Sequence, residues 1–255
     1  MKIAVCVKHA VDEAELKTDP SGRPVLAGAV SRMSAFDKNA VEEGLRLRAA
    51  HQGEVVVFTV GPADSKKTMK EALAMGADRG VLVVADTAAI DTMRTAGLLA
   101  AAIRRAGPFD LVLCSEGSSD TYSGQVPPML GELLGAAFVG YARKFEVSGQ
   151  LVRVERSLED SVERVEAPLP LVASVVSEIN EPRYPTLIQI MQAGKKPLEE
   201  LSGDQLLPHG EYREASVVSM SVQQSARKRV LIEGSPDEAA AKLLDALTKE
   251  GVLAK

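Results

Sequence analysis

A doubly wound α/β fold with a parallel sheet is the fold class that the sequence predicts, and three observations lead to it. Short apolar runs rich in β-branched residues recur along the first half of the chain. Amphipathic segments with a helical period alternate with these runs, and the links between them are short. Such strand–helix repeats favour parallel strands that are buried on both faces between layers of helices.

The elements of this pattern follow in order from the N-terminus. A continuous apolar strand is predicted at residues 2–8, and a polar, turn-rich loop with space for a small hairpin at 12–32. An amphipathic helix is predicted at 37–50, with its charged residues toward water. The next elements are a strand at 54–60, a helix capped by Ser65 and ending near Gly76, a strand at 80–84, a helix at 91–105, a strand at 110–115 and a helix from about 125 to 134.

The pattern changes beyond residue 138, where short alternating segments predict an antiparallel extension or a return to the main sheet. Residues 195–230 are irregular and predict an extended arm. Because a compact domain rarely leaves so much chain irregular, we expect the arm to lie on another protein. A final helix is predicted at 236–250, with Ser235 as its cap. The short segments are at 143–147, 151–157, 162–166 and 171–176.

Composition and charge disfavour several classes of function. The net charge of −5 is opposite to the basic excess that nucleic-acid binding requires. No apolar run reaches the roughly 18 residues that a bilayer crossing needs, and the N-terminus lacks the features of a signal peptide, so a cytoplasmic protein is expected. Cys6 and Cys114 lie in apolar runs and are expected to be reduced core thiols. Two scattered cysteines and three scattered histidines predict no metal site.

The familiar catalytic motifs are missing from the sequence. It contains no G-x-x-x-x-G-K-[ST], no G-x-S-x-G, no H-E-x-x-H and no C-x-x-C, and no G-x-G-x-x-G follows the first strand. We therefore expect no catalytic residues, and an enzyme that acts alone is disfavoured.

The segment at 114–127, which reads C-S-E-G-S-S-D-T-Y-S-G-Q-V-P, is the strongest candidate for a binding site. It follows a buried strand and opens a helix, and ligands of parallel α/β sheets bind beyond the carboxyl ends of the strands. Small residues let the backbone approach a phosphate, and the helix N-terminus favours its negative charge. The alternative interpretation is a Ser/Gly loop without a ligand.

Loops that follow the neighbouring strands are expected to border the same cleft. They are Lys8-His9-Ala10 after the first strand, Phe36 at the start of the next helix, and Val60 at the end of the second strand. Together they could enclose an adenine ring. The sequence thus predicts a nucleotide-binding α/β domain without catalytic machinery of its own.

A second candidate segment lies at 178–191. Tyr184, Leu187 and Met191 fall at helical spacing, with Ile188 beside them. A helix packed on its own core is the alternative interpretation. Prolines before the segment and a Gly-Lys-Lys-Pro break after it favour a short excursion that presents Leu187 outward.

An ordered set of five motifs runs through about residues 1–200. The motifs are V-x-V-K ending at residue 8, A-F-D-x-x-A-V-E-E-x-L-R-L at 35–47, A-L-A-M-G-A-D-R at 72–79, S-S-D-x-x-S-G-Q-V-P at 118–127 and N-E-P-R-Y-P-T-L at 180–187. N-E-P-R-Y-P-T-L, followed by a short apolar helix, is the most specific motif of the set. Together these motifs resemble the β subunits of electron transfer flavoproteins.

This resemblance implies a Rossmann-like fold of the adenine nucleotide alpha hydrolase-like type and a heterodimer with an α subunit that carries the redox-active FAD. It implies a domain at 1–194 that binds one AMP structurally and includes a recognition loop at 180–194. Residues 195–255 would be the arm and helix that contact the α subunit. Acyl-CoA dehydrogenases of fatty acid β-oxidation, or other flavin dehydrogenases, would donate electrons, and a membrane-bound electron transfer flavoprotein–quinone oxidoreductase would receive them, without membrane insertion of this chain.

The resemblance also implies which residues make these contacts. Those near the phosphate would be Asp120 and the segment 123–125, and the anchor of the docking helix would be Leu187. The implied AMP contacts are Lys8, His9, Ala10, Phe36, Val60, Cys114, Ser115, Gly117, Asp120, Thr121, Ser123, Gly124, Gln125 and Val126. The implied docking residues are Tyr184, Leu187, Ile188 and Met191.

Two alternatives remain open. Electron-bifurcating relatives hold a second FAD in the β subunit, and their loop commonly reads D-G-D-T-A-Q-V-G-P, whereas this chain has D-T-Y-S-G-Q-V-P-P. Tyr122 would crowd that space, which favours AMP. The other alternative is a free-standing adenine-nucleotide sensor of the universal-stress type, which would not need the long arm. Gln192 and Gly194 interrupt the lysines that follow the recognition helix in the family, so the part played by charge in docking stays open.

Overall fold

The computed structural model describes residues 1–207, 215, 217–220 and 229–253. The strands are β1 Lys2–Cys6, β2 His9–Val11, β3 Lys17–Thr18, β4 Pro24–Val25, β5 Ser31–Met33, β6 Glu54–Gly61, β7 Arg79–Val84, β8 Leu111–Ser115, β9 Ala137–Ser148, β10 Leu151–Ser157, β11 Val162–Pro168, β12 Leu171–Val175 and β13 Leu198–Ser202. The helices are α1 Ala35–His51, α2 Lys66–Met75, α3 Thr92–Ala106, α4 Val126–Leu134, α5 Leu187–Ala193, α6 Gly203–Leu206 and α7 Pro236–Lys249.

Nine strands form one sheet in the order β11-β10-β9-β12-β8-β1-β6-β7-β13. Across the sheet, the seven strands β9-β12-β8-β1-β6-β7-β13 all pair in parallel with their neighbours. At the β9 edge, β9, β10 and β11 form an antiparallel extension. The chain starts at β1 in the centre and winds outward on both sides, so the predicted doubly wound α/β fold is confirmed. The sequence predicted either an antiparallel extension or a return to the main sheet beyond residue 138. The long strand β9 does both, because it pairs in parallel with β12 and antiparallel with β10.

The central strands are apolar on both faces because helices cover both faces. Successive strand residues point to opposite sides, so Ile3 and Val5 pack in the same core as the buried side of α1 and α2. Ala4 and Cys6 point the other way, into a second core with α3 and α4. The strand ends, rather than the strand faces, are therefore where a ligand can reach the sheet.

The predicted arm starts later than the sequence suggests. Leu198–Ser202 is an edge strand that pairs in parallel with β7, and it is not part of an arm. Only Leu198 and Leu201 pack against the two cores, so the strand has too few apolar residues to show the period of a buried strand. The predicted arm also includes residues 208–214, 216 and 221–228, which lie outside the described residues.

Two helix caps illustrate how local sequence sets these boundaries. Ser235 begins α7 with a capping box, in which its side chain accepts from Glu238 N–H and the Glu238 side chain accepts from Ser235 N–H. The expected cap at Ser65 is wrong in detail, because the Ser65 side chain makes no capping hydrogen bond. A turn of 3₁₀ helix at Ala63–Ser65 leads directly into α2 instead. No helix in the described ranges has both the length and the apolar character of a membrane span.

Candidate functional site

A cavity of about 930 Å³ lies at the carboxyl ends of β1, β6 and β8. The start of α3 and the loop that leads into α4 form its other walls. This volume is within the range typical of small-molecule sites, and the position is the one that parallel sheets use for ligands.

Most residues predicted for the nucleotide site line this cavity, and three do not. Asp120 is not one of the lining residues, but it pairs with Lys8, which is. Ala10 is buried in β2, and the Phe36 ring packs edge-on against Tyr122 with 5.4 Å between ring centroids. The predicted residues that line the cavity are Lys8, His9, Val60, Cys114, Ser115, Gly117, Thr121, Ser123, Gly124, Gln125 and Val126.

Sequence reasoning missed one whole wall of the cavity. Residues 87–91 lie in the loop between β7 and α3, and Thr92, Thr95 and Leu99 of α3 continue that wall. The rule that placed the other loops also applies here, because β7 is parallel to β6 and ends at the same edge of the sheet. Ser118 and Pro127 of the predicted segment 114–127 also line the cavity, and the other unpredicted lining residues are Cys6, Val7, Asp37, Ala215 and Val217.

Lys8 is the central cation of the site. Its Nζ lies 2.7 Å from Asp120 Oδ1 and 3.3 Å from the hydroxyl oxygens of both Ser118 and Thr121. Burial by itself would raise the pKa of Asp120, but hydrogen bonds from Lys8 and Ser118 outweigh burial and keep this pKa below its ordinary value. The loop thus holds an ionised carboxylate against the ammonium group.

Asp37 is a second carboxyl group of the cavity, buried at the start of α1. Its Oδ2 accepts the Lys8 backbone N–H at 2.6 Å, and its Oδ1 is hydrogen-bonded to the Ser115 hydroxyl. Burial raises the pKa of Asp37 to about 7, although these hydrogen bonds and the charge of Lys8 act in the opposite direction. The site therefore contains a carboxyl group that titrates near neutral pH.

The N-terminus of α4 offers fewer donors than the sequence analysis assumed. Its first three residues are Val126, Pro127 and Pro128, and proline has no backbone N–H, so only Val126 retains one. An anion bound here would be held mainly by Lys8 and by loop groups. Gly124 supports the loop: its φ is +62°, and a Cβ would approach the Glu116 carbonyl oxygen to 3.0 Å.

His9 presents a neutral ring beside the cavity. Nδ1 lies 2.8 Å from the Thr68 hydroxyl, and Nε2 is buried without a hydrogen-bond partner among the described residues. Burial lowers the pKa of His9 more than the nearby Asp64 carboxylate raises it. An uncharged ring suits contact with a base better than contact with a phosphate.

The two cysteines stand side by side on the cavity floor. The register that pairs Val5 with Leu113 places Cys6 next to Cys114, one residue further along both strands. Both thiols are free and buried, as expected from the sequence. A hydrogen bond that the Cys114 thiol donates to Cys6, together with burial, raises the pKa of Cys114 and keeps it unreactive at neutral pH.

The second candidate segment is tied to α1 just before α5 begins. Asn39 Nδ2 donates to the Ser177 and Asn180 carbonyl oxygens, and Asn180 Nδ2 donates back to the Asn39 carbonyl. Arg183 then forms a bidentate ion pair with Glu42, in which Nε donates to Oε2 at 2.7 Å and Nη2 donates to Oε1 at 2.9 Å. These contacts fix the start of the segment, and α5 itself then lies against α2.

The short helix α5 exposes almost all of its apolar side chains. Thr186 and Gln189 form a capping box at its start. Leu187 is 79% exposed and the preceding Tyr184 is 91% exposed, while Ala193 at the other end is buried. The alternative interpretation of a helix packed on its own core is therefore wrong for the apolar row. The exposed row consists of Tyr184, Leu187, Ile188, Ile190 and Met191.

We expect Arg183→Ala to loosen this segment without unfolding the domain. The substitution removes a two-point ion pair to a nearly buried carboxylate, which is worth about 1 kcal/mol at a half-exposed guanidinium. Amide deuterium exchange across residues 184–191 should then rise roughly 3- to 10-fold. Arg153→Ala, which breaks an exposed pair with Glu166 on the extension, is the control. Equal exchange in both variants would mean that Arg183 does not hold the segment.

In the described part of the chain, no three His, Cys, Asp or Glu side chains are grouped so that they could hold a metal ion. On the described cavity wall the Ser115 hydroxyl is buried and hydrogen-bonded to both Asp37 and the Gly117 carbonyl, so both of its contacts lie within the protein. The arrangement is suited to holding a small anionic ligand and to presenting an apolar helix.

Comparison with known proteins identifies the family. The electron transfer flavoprotein domain matches residues 25–206. A protein of Thermoanaerobacterium thermosaccharolyticum named electron transfer flavoprotein subunit beta is 34% identical over 99% of this chain and 100% of its own length. A protein of Bacillus subtilis with the same name is 33% identical over 98% of each chain. The chain therefore belongs to the electron transfer flavoprotein family, as one of its β subunits.

Proposed function

We propose that this chain is the nucleotide-holding, redox-passive half of a heterodimeric electron shuttle. The observation that carries the proposal is the exposed apolar row of α5, on a chain that also has a nucleotide-sized cavity at the carboxyl ends of its central strands. The α subunit would carry FAD, whose isoalloxazine ring accepts and releases the electrons. This chain would supply scaffold and docking surface.

The nucleotide in the cavity is proposed to be AMP. One phosphate suits a site with a single lysine and with two prolines at the helix start, where a longer polyphosphate would find few further donors. Tyr122 packs against Phe36, and a Cβ on Gly117 would lie only 2.6 Å from its ring. This crowding speaks against the larger FAD of a bifurcating subunit. The loop contacts proposed for AMP are those of the cavity wall, with Asp120 acting through Lys8.

Electron donors are proposed to dock on α5. Flavin dehydrogenases such as acyl-CoA dehydrogenases would bury Leu187, with Tyr184, Ile188 and Met191 around it. A small apolar anchor with a mobile surround suits a partner that must bind and leave quickly. Electrons would then pass to a membrane quinone oxidoreductase, with this chain remaining in the cytoplasm.

Residues 195–255 are proposed to contact the α subunit. Helix α7 has Leu243 and Leu244 exposed, and none of its described side chains is buried against this chain. Such a helix gains stability when a partner covers its apolar side. The boundary between the nucleotide domain and this partner-binding region is proposed at residue 194 on the basis of these roles. Strand β13 lies after that boundary but pairs with β7 of the nucleotide domain.

A reduction experiment on the purified heterodimer tests this function. An acyl-CoA dehydrogenase reduced by its substrate should bleach the flavin absorbance of the heterodimer within seconds, whereas NADH alone should not. Reduction of two flavins by NADH would instead establish the bifurcating class. A chain that purifies as a stable homodimer without a flavoprotein partner would establish the sensor.

A further inference from the structure

We propose that Asp37 takes up a proton when the cavity takes up its phosphate-bearing ligand, so that it sets the charge state in which the site accepts a nucleotide. The inference rests on the proposed nucleotide site. Asp37 is not among the contacts that the sequence predicted, and its side chain reaches the cavity from α1.

The hydrogen bonds around Asp37 already have a place for the proton. Ser115 Oγ lies within hydrogen-bonding distance of both Asp37 Oδ1 and the Gly117 carbonyl oxygen, and its single hydrogen can serve only one of them. A protonated Oδ1 would donate to Ser115 Oγ, and the hydroxyl would then donate to Gly117. Oδ2 would still accept the Lys8 N–H, so no group loses a partner.

Repulsion between the bound phosphate and the carboxylates near the cavity favours uptake of this proton. A phosphate monoester brings roughly −1.5 to −2 charges at pH 7 into a cavity whose described lining contains the carboxyl groups of Asp37 and Asp91 and one ammonium group, Lys8, which is already paired with Asp120. Like charges at short range favour the protonated form of the more buried carboxyl group.

The other titratable groups of the wall are less able to take the proton. His9 is turned toward Thr68 and Asp64. Asp91 caps α3 by accepting the Arg94 N–H, and the raised pKa of the Cys114 thiol means that it already has its proton. Asp120 keeps a lowered pKa through Lys8 and Ser118, even though burial acts against it. Asp37 is the buried group whose pKa already lies near neutrality.

The direction of the pH dependence follows. Asp37 in the free site has a pKa of about 7, and a bound anion would raise that pKa further. Between these two pKa values the complex binds more protons than the free site, so the affinity for nucleotide falls as pH rises through this window. The loss approaches about tenfold per pH unit for one coupled proton.

Calorimetry of AMP binding to the nucleotide-free heterodimer at pH 8 tests the inference. Titrations in buffers of different ionisation enthalpy give the number of protons taken up. We expect roughly one proton per AMP for the unchanged chain and close to none for Asp37→Asn, which mimics the protonated group. Asp37→Asn should still bind AMP, because its amide can donate to Ser115 Oγ. Asp120→Asn is the matched control and should retain the uptake.

Each result has a defined meaning. Undiminished uptake in Asp37→Asn would place the proton on the phosphate or on His9 and overturn the inference. If that variant does not fold, the unchanged chain still decides, because an AMP affinity that is flat between pH 7 and 9 also overturns it. Adenosine, which lacks the phosphate, should bind without uptake. Absence of any AMP binding would instead contradict the proposed nucleotide site and is distinguishable from binding without proton uptake.

Discussion

Replacing Leu187 with alanine is expected to slow electron transfer from a reduced dehydrogenase to the flavin of the heterodimer by roughly 10- to 100-fold. Leu187 is 79% exposed in this chain, so a partner that covers it would gain most of the free energy of burying a leucine side chain. Because alanine removes that anchor but leaves the backbone of α5 intact, the loss should appear in the second-order rate constant.

Stopped-flow measurement of flavin absorbance under limiting partner concentration gives that rate constant. Leu151→Ala is the matched control, because Leu151 is a half-exposed leucine on β10, in the antiparallel extension. FAD content and the thermal unfolding midpoint should not change in either variant. Equal rates for Leu187→Ala and the unchanged protein would remove the docking role from α5.

Replacing Lys8 with methionine is expected to weaken AMP binding by roughly 10- to 100-fold, which corresponds to the loss of a charged hydrogen bond. The variant removes the cation of the site and leaves the Asp120 carboxylate without its ion-pair partner, since Asp120 Oδ1 lies 2.7 Å from Lys8 Nζ. An unpaired carboxylate then repels the phosphate, so the effect should exceed that of a lost contact alone.

A double variant separates these two contributions. Lys8→Met combined with Asp120→Asn should recover part of the lost affinity, because it removes the repulsion but not the missing donor. Lys38→Met is the matched control, since Lys38 pairs with Glu71 away from the cavity wall. Calorimetric titration with AMP provides the affinities. An unchanged affinity in Lys8→Met would mean that the phosphate does not lie near this lysine.

The sequence predicted the sheet well because its signal is local. Buried parallel strands such as Glu54–Gly61 are continuous apolar runs. The apolar face of an amphipathic helix likewise shows as a regular repeat of apolar residues along the sequence. The edge strand Leu198–Ser202 was missed because it is half solvated and carries two adjacent glutamates. Its place in the sheet depends on β7, which lies far away along the chain.

The candidate site was predicted where a loop follows a strand, and missed where only tertiary structure brings groups together. The loop before α4 was found from its small residues, whereas Asp37 resembled an ordinary first-turn acid of a helix. Its burial depends on Lys8 and Ser115, and no local pattern joins these three positions. Pro127 and Pro128 remove N–H groups from the start of α4, so the general rule that a helix N-terminus binds anions applies less strongly here.

The docking segment also combines features that the sequence reveals with contacts that only the structure shows. The prolines and the exposed apolar spacing around Leu187 can be read from the sequence. The contacts that hold the segment cannot, because Asn39 and Asn180 are 141 residues apart. The same holds for Glu42 and Arg183.

The nucleotide content of the purified heterodimer tests the central claim most directly. The complex of this chain with its flavoprotein α subunit would be denatured, and the released nucleotides separated and quantified. We predict one FAD and one AMP per heterodimer. Two FAD and no AMP would contradict the account, because the cavity beside Lys8 and Asp37 would then hold a second redox centre.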